Sequence, residues 1–157
     1  MILIQRHYNL FFYKLVELNT LLDKKIGIKS PTLEWLTFNA SILLTIIIML
    51  YLISIEFIIE IMTGKMLVPP TESFWWGFHL PFFIGLTGIV YCIVEKSCKW
   101  IKQKEEFESY SKEKKKKINI LVASIGLGSI LAFIITLNIW GEFYEAGLID
   151  DYCPITY

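Results

Sequence analysis

Glu56, Glu60 and His79 are the residues whose types and spacing could move a proton or hold a polar partner. The two glutamates are one helical turn apart and face the same way on a helix. An imidazole beside a carboxylate can relay a proton or line a polar pocket. Asn138 joins this group when the apolar segments of the chain are threaded at equal depth, with Glu142 just above it and Tyr144 in the tail that follows. These six positions are the candidate partner-binding residues. A plainer reading stays open: the glutamates reach water at an interface and His79 stays neutral and bonds locally. Other chemistry finds no motif. There is no CxxC, HExxH, phosphate loop, GxSxG or dinucleotide fingerprint, so no metal, no cofactor and no catalytic residue is expected.

The elements that must position these residues are set by charge. Trp35–Ile55, Ser73–Val94 and Ile118–Gly141, of 21, 22 and 24 residues, contain no Asp, Glu, Lys or Arg. About 20 apolar residues in a helix cross a bilayer core. Three crossings put residues 1–34 and 95–117 on one face, with fourteen of the fifteen basic residues; Lys65 alone falls on the other. The excess of cations marks the cytoplasmic side. The expected fold is an all-α integral membrane protein with three transmembrane helices and an N-terminal amphipathic interfacial helix. Its order is a cytoplasmic segment (1–34), span 1 (35–62), an outer loop (63–73), span 2 (74–94), a lysine-rich cytoplasmic segment (95–117), span 3 (118–140) and an outer acidic and aromatic tail (141–157). The N-terminus is then inside and the C-terminus outside, and His7 and His79 lie on opposite faces.

Residues 1–22 cannot cross at low cost. Arg6, Lys14 and Glu17 would each cost a few kcal/mol at mid-bilayer. They are expected on the inner surface, with Phe11, Phe12, Leu15 and Leu18 as the apolar stripe. Ser30 or Thr32, with Pro31, marks a helix start. The first helix should run past Glu56 to Ile61, and Gly64 with Pro69-Pro70 should end it. Phe74-Trp75-Trp76 forms an outer aromatic belt. Gly77, Pro81 and Gly85 recur every four residues on span 2, as do Ser124, Gly128 and Ala132 on span 3. Small residues at that interval let helices approach in lipid, so spans 2 and 3 are expected to pack through these faces. Glu95 to about Tyr110 should prolong the second helix, with Trp100, Lys104 and Phe107 on one side. Cys153 lies across the membrane from Cys92 and Cys98, so it is a free thiol or an intermolecular link.

The functional classes follow from this plan. The lysines alternate with glutamates next to the membrane, which argues against nucleic acid as a partner. The outer loop 64–72 and tail 141–157 total 26 residues, too few for a soluble catalytic domain. An enzyme is not expected. A channel or transporter component would need an oligomer to line a path, and no internal repeat supports it. The expected partners are the lipid bilayer and another protein, with a homo-oligomer as a further option.

The layout resembles that of small inner-membrane proteins that protect bacteria: three-span phage superinfection-exclusion proteins and, similarly, immunity proteins against pore-forming bacteriocins. The likeness is carried by the short chain, the Lys/Ile-rich wording (Lys24-Lys25, Ile46-Ile47-Ile48, Lys114–Lys117), the lack of a cleavable signal and the tiny outer loops. It implies a phage ejection protein or a toxin's membrane helices as partner, met at the periplasmic side. It transfers no residue role, because it is a likeness of layout. An accessory or assembly subunit of a larger membrane complex is the alternative.

Overall fold

The computed structural model describes residues 2–27, 32–67, 72–97 and 99–149. They form five helices: α1 (Ile2–Ile26), α2 (Leu33–Thr63), α3 (Glu72–Ser97), α4 (Lys99–Glu108) and α5 (Lys112–Glu145). Among the described residues there is no strand element. By length and composition, α2 and α5 are long and apolar enough to cross a membrane. The apolar stretch of α3 within the described residues is His79–Ile93.

Local chemistry sets the helix ends. Thr32 caps α2: its hydroxyl accepts from the Trp35 N–H at 3.2 Å, satisfying one of the orphan donors of the first turn. Gly64 ends the same helix at φ 65°, a conformation that costs glycine little. Ser111 caps α5 by accepting from the Lys114 N–H at 3.4 Å. The Lys115 ammonium donates to the Glu108 carbonyl at 2.8 Å and so closes α4. The end of α5 is a Schellman turn. Leu148 N–H donates to the Phe143 carbonyl and Gly147 N–H to the Tyr144 carbonyl, both at 3.0 Å, with Gly147 at φ 67°.

The chain divides into two units. Unit 1 comprises Met1–Ile46 and Leu86–Gly126; unit 2 comprises Ile47–Gly85 and Leu127–Tyr157. In unit 1, α1 packs on α4. Tyr13 meets Phe107 with ring centroids 5.7 Å apart, and the Lys14 ammonium lies 3.8 Å from the Phe107 centroid. Burial, and then the charges of Glu17 and Glu108, hold the Tyr13 phenol above its ordinary pKa. Unit 1 also buries one face of α2: Thr37, Ala40, Ser41, Leu44 and Thr45.

That face carries a ladder of hydroxyls. Thr37 donates to the Leu33 carbonyl at 2.8 Å, Ser41 to Thr37 at 2.9 Å and Thr45 to Ser41 at 2.9 Å. Each hydroxyl is satisfied by its own helix, so a small polar face can be buried without leaving a donor unmet. The reverse holds outside. Ile46, Leu52, Ile55, Ile58, Leu127, Ile130, Leu131, Ile134 and Ile135 are exposed, while Ser41, Thr45 and Ser129 are fully buried. An apolar core is buried as well, including Phe12, Leu15, Leu44, Met49 and Phe57.

Several expectations change. On α1 the stripe splits: Phe12 and Leu15 are buried within the chain, while Leu18 is exposed. Lys14, expected on the water-facing side, is buried: its ammonium pairs with Glu17 and lies over the Phe107 ring. The lysine-rich segment is helical on both sides of Cys98, in α3 to Ser97 and in α4 from Lys99, and Cys98 itself lies outside the described residues. The lysines at 114–117 lie inside the first turns of α5. Cys92 is an exposed free thiol. Ser30, Pro31, Pro69, Pro70, Cys98, Cys153 and the tail beyond Ile149 lie outside the described residues, as do the side chains of Phe74, Trp75, Trp76 and Trp100.

Candidate functional site

The candidate site lies in unit 2 and is built on the C-terminal half of α2. Met49, Ile53, Phe57 and Glu60 recur at intervals of four, four and three, and all are buried. Such spacing makes one face of a helix. Glu56 lies beside this face and is partly exposed.

Glu60 is the most buried charged residue among the described residues of the unit, at 2% exposure. Its Oε2 accepts from the Trp140 indole N–H at 2.6 Å. Its Oε1 accepts from the Leu67 backbone N–H at 2.7 Å. Its own carbonyl accepts from the Gly64 N–H at 2.8 Å. A buried acid is tolerable when its oxygens are bonded, and here donors come from the turn after α2 and from α5. The carboxyl group therefore ties three segments of unit 2 together.

Aromatic rings surround this tie. Phe57 stacks on Trp140 at 5.2 Å and on Phe133 at 6.2 Å. Trp140 stacks in turn on Tyr144, with centroids 5.3 Å apart and planes 5° from parallel. Offset stacks of this kind add to the energy of burial and fix ring orientation. Beside them, Leu148 folds back toward the end of α2, where a β-carbon on Gly64 would sit 3.2 Å from the Leu148 carbonyl oxygen. Gly64 is thus needed for both its left-handed backbone and its lack of a side chain.

Glu56 and His79 meet as the sequence suggests, with Oε2 and Nε2 3.6 Å apart. The histidine ring is one-tenth exposed and the glutamate one-fifth. The separation suits an ion pair when the imidazole is protonated and exceeds a good hydrogen bond. The other candidates are elsewhere. Asn138 is exposed and donates to the Ile134 carbonyl of its own helix at 2.7 Å. Glu142 is exposed, and Tyr144 is 39% exposed on top of Trp140. Trp140 is the residue sequence reasoning missed. The available signal was its threading depth, close to that of Glu60.

The small-residue faces differ from expectation. Gly77, Pro81 and Gly85 are exposed, and a β-carbon on either glycine would meet nothing within 4 Å. Within unit 2, α3 turns His79 inward instead. Gly128 faces α2, its would-be β-carbon 3.2 Å from the Tyr51 hydroxyl. Ala132 is half-buried, next to Phe133 and the buried Thr136, and its carbonyl accepts from the Thr136 hydroxyl at 2.8 Å. Ser124 is exposed and belongs to unit 1. Among the described residues, no three His, Cys, Asp or Glu side chains gather as metal ligands. Comparison with known proteins gives no match to any family model, any curated protein or any solved structure.

Proposed function

We propose that this chain is a three-span protein of the bacterial inner membrane, N-terminus inside and C-terminus outside. It protects the cell without catalysis, by contacting an incoming phage ejection protein or the membrane helices of a pore-forming toxin at the outer leaflet. The membrane reading is supported by the length and apolar composition of α2 and α5, by their many exposed aliphatics and by the hydroxyls they bury. On α1 the exposed Leu18, Leu21 and Leu22 suit the membrane surface.

The observation that carries the contact reading is how unit 2 uses its polar groups. Both oxygens of Glu60 are engaged in holding α2 to Trp140 and Leu67. What this base displays is exposed Glu142, Tyr144, Glu145 and Leu148, an acidic and aromatic surface on a fixed support. Aromatic residues on a rigid base favour protein contacts. Expression in a sensitive host should block phage DNA entry or toxin killing, and Tyr144→Ala should weaken protection at equal protein level. Unchanged sensitivity to a broad phage and bacteriocin panel sinks the reading.

One observation favours a second reading, an accessory subunit of a larger membrane complex. The Gly77, Pro81 and Gly85 face is exposed and could receive a partner helix. Such a subunit would co-purify with its partner in fixed ratio and act only in its presence.

A further inference from the structure

Unit 1 contains a cavity of 680 Å³ between α1 and the first half of α5. Its lining changes character along α5. Lys114 stands at one end; Ile118, Leu121 and Ile125 follow on the same side of the helix. At 1.5 Å per residue the distance from 114 to 125 is about 16 Å, close to one leaflet of a core about 30 Å thick. Across from them, α1 supplies His7 and Phe11.

The charged end is built. The Tyr110 hydroxyl donates to Glu106 at 2.6 Å. That bond fixes the Tyr110 ring, and the Lys114 ammonium lies 3.5 Å from its centroid. Lys116 and Lys117 are exposed on the following turn. A cation held at the mouth of an apolar slot matches a molecule with an anionic head and a hydrocarbon tail. A soluble anion would leave Ile118, Leu121 and Ile125 uncovered.

We propose that this slot binds one anionic phospholipid, with its phosphate at Lys114 and an acyl chain along Ile118, Leu121 and Ile125. The lysine-rich segment then does more than orient the chain: it selects the lipid that fills the space between α1 and α5. The inference rests on the membrane reading. Alkaline carbonate extraction of cell membranes tests that reading alone, whereas lipid retention by the purified chain tests the slot.

The experiment is native mass spectrometry of the full chain in mild detergent, offered equal phosphatidylglycerol and phosphatidylcholine with the same acyl chains. The wild type should retain phosphatidylglycerol in preference. Lys114→Gln should lower that preference about fivefold, the effect of one well-placed cation. Leu121→Trp, at an exposed position that tolerates a large ring, should fill the slot and remove retention of both lipids while circular dichroism stays helical. Equal retention of the two lipids by the wild type overturns the proposal. So does an unchanged preference in Lys114→Gln, or displacement of the lipid by excess inorganic phosphate alone.

Discussion

Units 1 and 2 both bury hydroxyls bonded within their own helix, such as Thr45 and Thr136, but unit 2 adds a buried acid whose donors come from elsewhere in the chain. In unit 1 the hydroxyls of Thr37, Ser41 and Thr45 bond carbonyls four residues back on the same helix. In unit 2 the Glu60 carboxyl takes its donors from Leu67 and from Trp140, eighty residues away. The first arrangement is self-contained and lets any small partner face approach. The second is complete only in one tertiary arrangement. Hydroxyls in this chain make close packing possible; the buried acid specifies which segments meet.

The widest separation between the units should come from Glu60→Ala. It strands two donors, the Trp140 indole and the Leu67 amide, at about 1–3 kcal/mol each when buried. A loss of roughly 3 kcal/mol from unit 2 is expected, read as a lower denaturation midpoint in mild detergent and faster proteolysis after Glu145. A wild-type midpoint would show that the tie is incidental. In unit 1, size should matter more than polarity. Ser41→Leu adds volume at a position with no exposure and should cost about 2 kcal/mol. Ser41→Ala should stay within about 0.5 kcal/mol, because the Thr37 carbonyl keeps its helical N–H. Equal losses in the two variants would mean that the hydroxyl ladder, and not close approach, stabilises that face. The smallest effect is expected from Lys14→Met. It keeps the apolar stem over Phe107 and removes the charge, at about 1 kcal/mol. A stability gain on this substitution would indicate that desolvating the ammonium outweighs its attraction to the ring and to Glu17.

Much of the fold is legible in the residues. The three uncharged runs fall inside α2, α3 and α5, Thr32 caps where a start was expected and Gly64 stops α2. The approach of Glu56 to His79 also follows from equal-depth threading. Rotation about the helix axes does not. Helices that are apolar all round carry little periodic signal to say which side turns inward. The four-residue recurrence of Gly77, Pro81 and Gly85 marks one face of the helix but not the direction it turns, and that face is exposed. The buried side of α2 was hidden for a related reason: its hydroxyls count as polar in the sequence but are already bonded within the helix. Trp140 closes the third expected span, and nothing in its neighbours tells that its N–H points at Glu60. Lys14 illustrates the opposite error, a charge assigned to water whose hydrocarbon stem and aromatic neighbour hold it inside.

The bond between Glu60 and Trp140 also fixes an order of events during synthesis. Unit 1 has all its residues once Gly126 has left the ribosome, whereas unit 2 is interrupted by residues 86–126 and resumes at Leu127. Glu60 is made early and its indole donor comes eighty positions later. Through that interval one carboxylate oxygen must keep water or another temporary partner. The arrival of α5 then dehydrates it. Translation stalled between residues 100 and 135 should leave a chain whose Glu60 lacks its indole donor.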